Sequence, residues 1–435
     1  MVVLSDRAAV RRLLDRFGFG PGPGDVDAGV TRGFAATAAA LLNAAPDPSA
    51  TPDLGAEPAR VAKGDTAGKK ARAQQLRRQE VTLTGWWLDR MVATTAPLTE
   101  RITWFWHGHF ATSDQKVRSP RLMQRQNDTL RSLGLGQFTT LAKAIMVDPA
   151  MLVWLDGQQN KTGAANENLA RESMELFMLG VDHYTETDVR EAARALTGWV
   201  VDRETITAQL APRRHDNGSK TVLGTTANLD ADSFVDVVLG QPDSPKYVVG
   251  RIWSRLVCGT TPPAPDVLAR LVAAYGPNRD IHATLQAITQ EPAFTDSAQT
   301  LVKQPVEWAV GLMRALRVRP SQLPDKAAAA LLVGLRGMGQ VPFLPPNVGG
   351  WPADTAWLTT SAGLARLRVA QLIVAHADLS AVSSTSTANR SAAAQALLSV
   401  DQWSARTTAA LNQIADTPAQ LVAVAACAPE YVVSL

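Results

Sequence analysis

The chain contains very little cysteine: Cys258 and Cys427 are the only two in 435 residues. They lie far apart, without Cys-x-x-Cys or Cys/His spacing, which excludes a thiolate zinc site and leaves a disulfide framework unsupported. Charge of one sign is scarce too. With 43 basic and 40 acidic residues the formal net charge is only +3, which supplies no field for gathering nucleic acid or coating an anionic membrane. Long apolar runs are missing: stretches such as Leu421 to Ala428 fall well short of the ~20 residues that a membrane helix needs. The opening Met1-Val-Val-Leu-Ser-Asp-Arg has no basic region followed by an apolar core. A signal peptide is therefore not recognisable, and the expectation is a soluble cytoplasmic chain, or an exported one already trimmed of its leader. No Gly-x-Ser-x-Gly elbow, His-Glu-x-x-His motif, phosphate-binding loop or strand-linked dinucleotide fingerprint occurs.

What is present is an ordinary globular composition, 46% hydrophobic and 19% charged, carrying a series of helical periodicities. Ser5 can cap a first helix. Apolar spacing predicts further helices over about 66–92, 98–106, 247–258, 281–290, 305–316 and 364–377, with capped helices in succession over 120–199. The pair Asn217-Gly218 between short β-prone segments predicts a hairpin near 212–224. The expected fold is mainly α, a multi-helical globular architecture with one small β-hairpin. Its expected parts are an N-terminal helical portion 1–44, an exposed or disordered insertion 45–64, a main helical domain 65–380 and a C-terminal helical segment 381–435. The basic stretch around Lys69, Lys70, Arg72, Arg77 and Arg78 reads as the solvated face of a helix rather than a phosphate-binding patch.

One helix stands out. Between Asn166 and Gly180 the residues Asn168, Arg171, Glu172 and Glu175 fall at i, i+3, i+4 and i+7, forming a polar stripe on an otherwise apolar cylinder. Two carboxylates beside a guanidinium are either an internal salt-bridge network or a site for acid/base work or metal ligation. Trp104-Phe-Trp-His-Gly-His-Phe110 is the second cluster. His107 and His109 are expected to diverge at a helix end near Gly108, because i and i+2 on a helix point to different sides. Thr185 and Asp188 have the spacing of a capping box. His215-Asp216 is suited to proton transfer or to a hairpin tip, and the loop Pro345 to Pro352 presents Trp351.

Several of these segments recur together in a known order. Phe105-Trp-His-Gly-His-Phe110, Leu155-Asp-Gly157, Asn166 through Phe177, Ala192-Ala-Arg-Ala-Leu-Thr-Gly-Trp199, His215-Asp216 with Lys220, and Gly350-Trp351-Pro352 resemble the bacterial domain of unknown function 1800 family over roughly 7–368. The resemblance implies a helical fold and export of many members. It also implies genomic neighbours related to sulfatases and alkaline phosphatases, and it weighs toward a site at the stripe.

The functional expectation is a hydrolase acting on a small molecule, saccharide, or phosphate or sulfate ester. Glu172, Glu175, His107, His215 and Asp216 would act as acid/base or ligand groups. Asn168, Arg171, Trp106 and Trp199 would hold the substrate. Metal ligands are not assigned, although a site of this kind suits a divalent metal. The alternative is a non-catalytic helical binding or assembly module that partners a phosphatase/sulfatase-like protein. Neither reading involves nucleic acid or a membrane.

Overall fold

The computed structural model describes residues 2–48 and 51–434. Helices dominate, and the strands among the described residues form three two-stranded antiparallel sheets. No helix among them is long and apolar enough to cross a membrane. Local signals set many boundaries. The Ser5 side chain accepts the Ala8 N–H and opens the helix Asp6–Arg16. Asp280 caps Ile281–Gln290 in the same way through Ala283. Asp148 accepts from both Ala150 and Met151 ahead of Pro149–Trp154, and each such bond satisfies an N–H that the helix itself leaves open.

The helix Pro97–His109 is buried along almost its whole length and joins two apolar cores. Trp104 belongs to one core, which contains Trp87, Trp308, Phe343 and Trp351. Leu98, Ile102, Phe105 and Trp106 belong to the other, with Phe110, Phe138 and Phe177. A buried helix must satisfy its polar side chains internally. Glu100 is fully buried and receives Trp87 Nε1–H at 2.9 Å, Arg131 at 2.7 and 3.1 Å, and Arg90. Burial alone would raise its pKa, but the Arg131 and Arg90 guanidiniums outweigh that and hold it below the ordinary value.

The long helix Thr66–Ala93 divides in character. Its C-terminal half buries Leu83, Trp87, Leu88 and Met91, whereas on the N-terminal half only Gln79 is buried. Gln79 Nε2 donates to the carbonyls of Leu54 and Ala56 at 2.7 and 3.0 Å, tying an irregular segment against the helix. That segment lies in the stretch expected to be an exposed or disordered insertion, of which Ser49 and Ala50 fall outside the described residues.

The β-structure differs from expectation in detail. Trp199–Asp202 pairs with Thr207–Leu210, Lys220–Val222 pairs with Thr225–Ala227, and Leu301–Val302 pairs with Val433–Ser434. The turn between the second pair falls at Leu223-Gly224, where φ is 47° and 80°, as a two-residue hairpin with both central residues left-handed requires. Asn217-Gly218 is not that turn. The Gly218 N–H is drawn to Asp216 at 2.8 Å, and Asp216 is held by Arg194. Both cysteines are free.

Replacing Glu100→Gln leaves two guanidiniums facing a neutral amide in the interior. The expected loss is about 3–5 kcal/mol of unfolding free energy, read from the urea midpoint at pH 7. Because the native pKa is depressed, the difference should shrink as pH falls from the ordinary carboxylate range through the native value.

Candidate functional site

The polar stripe begins as expected but does not continue as an α-helix. Asn168–Glu172 is α-helical and Ser173–Met178 is a π-helix, with the N–H groups of Leu179 and Gly180 both reaching Met174 O at 3.0 and 2.9 Å. The helix starts at Asn168 because the Asn166 side chain accepts the Asn168 N–H at 3.0 Å. Arg171 is clamped by both oxygens of Glu186 at 2.7 and 2.8 Å and by Glu167 at 3.1 Å. Glu175 accepts the Tyr184 hydroxyl at 2.5 Å. Asn168 is exposed and donates to Asp156 at 3.3 Å. Partial burial and the neighbouring Glu175 raise the Glu172 pKa, against Arg171. The stripe is a half-exposed ion-pair and hydrogen-bond network that satisfies most of its own groups.

The remaining candidates lie elsewhere. Thr185 and Asp188 form the capping box, and Asp188 also accepts the Leu223 N–H at 2.7 Å. His215 Nδ1 sits 2.9 Å from Thr197 O, and Asp216 pairs with Arg194 at 2.8 Å while accepting no contact from His215. Trp199 is half-buried in the first strand. Trp106 is fully buried, with its indole N–H on Gly134 O at 2.8 Å, so it has no surface left to hold a substrate. The helix runs through Gly108 to His109, and the two imidazoles diverge: His109 Nε2 meets Phe177 O at 2.8 Å, and His107 Nε2 accepts the Phe343 N–H at 2.9 Å. Burial drives both pKa values down to about 3. A neutral, enclosed His107 is poorly placed for proton transfer to a ligand. Among the described residues no three His, Cys, Asp or Glu side chains converge to hold a metal ion.

A cleft of about 660 Å³ opens between the N-terminal half of Thr66–Ala93 and the helix Asp325–Gly337, with the short helix Asp114–Val117 at its end. Lys69, Arg72, Arg77, Arg118 and Arg336 contribute cations to its lining. Leu76, Val81, Leu332 and Val333 supply an apolar wall, with Val333 71% exposed. Asp114 and Glu80 are its carboxyl groups. A second lobe of about 480 Å³ adjoins it and shares Glu80, Asp114, Gln115, Arg336 and Val341.

The core fixes Asp114 from behind. Its backbone N–H donates to Phe343 O at 2.9 Å, and Phe343 is the residue whose own N–H is held by His107. Its Oδ1 accepts the Ser119 N–H at 2.8 Å. Arg118, at φ 50°, ends the short helix in the left-handed region. Burial pushes the Asp114 carboxyl up to about 7; the Ser119 N–H opposes this, while Glu80 and Glu57 reinforce it. Glu80 is also raised by burial, against Arg336 and Arg77. Deeper in the wall, Thr84 is 1% exposed and its hydroxyl oxygen has no hydrogen-bond partner. Two interacting carboxyls with elevated pKa values in an open cleft are a common arrangement for acid/base chemistry.

The basic residues of 69–77 were visible in the sequence, and as single residues Lys69 and Arg77 are indeed exposed. Their role as a cleft wall was not, because the facing wall comes from 114–118 and 329–346, far away in sequence. The one local signal is the run 69, 72, 73, 76, 77, 80, 84, which marks a single mixed face of one long helix.

Fold and site together define a mainly helical protein with a two-lobed, cation-lined cleft. The chain belongs to the family described as a protein of unknown function, DUF1800, which matches residues 12–433. No curated protein and no solved structure matches it.

The raised pKa of Asp114 has a sign that can be checked. The group favours the folded state fully below its ordinary pKa of 3.8, and that contribution is lost as pH rises through about 7. Asp114→Asn, which cannot ionise, should therefore be more stable than the parent at pH 8 by about 2–4 kcal/mol. The gap should close toward pH 4. Equal urea midpoints at pH 8 would show that the carboxyl is not destabilised by its surroundings.

Proposed function

We propose that the protein is a hydrolase that binds an anionic saccharide in this cleft, with Asp114 donating a proton to the leaving oxygen and Glu80 accepting one from water. The observation that carries the reading is the pairing of two carboxyl groups within one open cleft lined by five cations. Glycoside hydrolysis needs one carboxyl that holds a proton and one that is ionised, each facing the bond to be broken. The Asp114 carboxyl, raised to about 7, can hold a proton near neutral pH. Arg336, 3.9 Å from Glu80, opposes the rise that burial gives that carboxyl and so supports its ionised form. Guanidiniums match carboxylate or sulfate substituents in a forked geometry, which favours an acidic sugar over a neutral one. The absence of a nucleophilic serine or cysteine among the lining residues favours an acetal bond over an acyl ester.

The test is release of reducing ends from polygalacturonate, alginate, hyaluronate and chondroitin sulfate. Asp114→Asn and Glu80→Gln should each lower turnover by about 10²–10⁴-fold. Glu172→Gln and Glu175→Gln should leave it within about twofold. The parent should lose activity above pH ~7 as Asp114 ionises and at acid pH as Glu80 takes up a proton. Undiminished turnover in Asp114→Asn, or no release from any of the four polymers, overturns the proposal.

A further inference from the structure

We infer that the substrate is a polymer lying through both lobes and cut internally, an inference that rests on the hydrolase reading above. The lobes of about 660 and 480 Å³ meet at Glu80, Asp114, Gln115, Arg336 and Val341. The carboxyl pair thus lies at the junction rather than at the closed end of a pocket. A chain end bound in a blind pocket has space on one side of the scissile bond only; here there is space on both.

The two lobes differ in chemistry. Lys69, Arg72, Arg77 and Arg118 line only the larger one. The smaller lobe adds Gly339, Leu344 and Pro346, and its cation is the shared Arg336. The polymer therefore places consecutive acidic units on the larger side and a less charged face on the smaller. In the reaction the glycosidic C–O bond breaks, and its oxygen takes the Asp114 proton. The water oxygen bonds to the anomeric carbon, and the displaced water proton goes to Glu80. Solvent then restores both carboxyls, and the net change is the addition of one water.

The experiment follows product size from polygalacturonate and chondroitin sulfate labelled at the reducing end. Internal cutting predicts that viscosity falls well ahead of the release of reducing ends, with oligomers of many lengths from the earliest times. Pro346→Trp, which narrows the smaller lobe, should lower polymer turnover at least tenfold while the far-UV spectrum stays unchanged. A single short product from the outset, or full turnover in Pro346→Trp, overturns internal cutting and leaves the hydrolase reading standing if Asp114→Asn is inactive. No cleavage of any polymer removes both.

Discussion

The hydrogen bond from the Phe343 N–H to His107 Nε2, 2.9 Å long and fully enclosed, connects the interior of the protein to its cleft. Only an unprotonated Nε2 can accept it, and burial holds the imidazole neutral by lowering its pKa to about 3. Phe343 sits at φ 67°, a conformation disfavoured for a side chain of its size, so its position must be imposed by its surroundings. Trp87, His107 and Phe343 pack ring against ring, with centroids 5.0–5.3 Å apart. From this anchor the Phe343 carbonyl holds the Asp114 N–H, and the first residue of the cleft is in place. His107 is thus a positioning residue. It reaches the cleft through a single residue, Phe343, whose N–H it accepts and whose carbonyl holds Asp114.

The same interior shows why two buried carboxyls behave in opposite ways. Glu100 and Asp114 both lose most of their hydration, which alone would favour the neutral form. Glu100 recovers it from two guanidiniums and an indole N–H, and its pKa falls. Asp114 receives one backbone N–H, while its neighbours Glu80 and Glu57 repel its charge, and its pKa rises. One group stabilises the joint between the two cores. The other sits at the cleft in a state that costs stability, as groups with chemical roles often do.

Much of the helical framework is legible in the sequence because its causes are local. Ile281–Gln290 is bounded by an aspartate cap and an apolar period, and Thr66–Ala93 opens at an Asp65 cap. The capping box at Thr185 and Asp188 is equally local. Other features are not. The π-helix at Ser173–Met178 follows a pattern that reads as α, so the stripe's spacing suggests one shared face when its groups in fact divide between Glu186 and Tyr184. The hairpin turn lies at Leu223-Gly224 rather than Asn217-Gly218, and Asp216, next to that pair, is bonded to Arg194 instead. His107 and Trp106 were conspicuous for their aromatic company, and that company is what buries them. The cleft is not legible in the sequence because its walls come from three distant segments, each ordinary on its own.

The central claim is that Asp114 keeps a proton near neutral pH because of where the core places it and because Glu80 faces the same cleft. The most direct measurement is the carboxyl carbon chemical shift of Asp114 followed by NMR from pH 3 to 9, in the parent and in Glu80→Gln. The account predicts a midpoint near 7 in the parent and a lower one once the Glu80 charge is removed. A midpoint near 4, the same in both proteins, would contradict it.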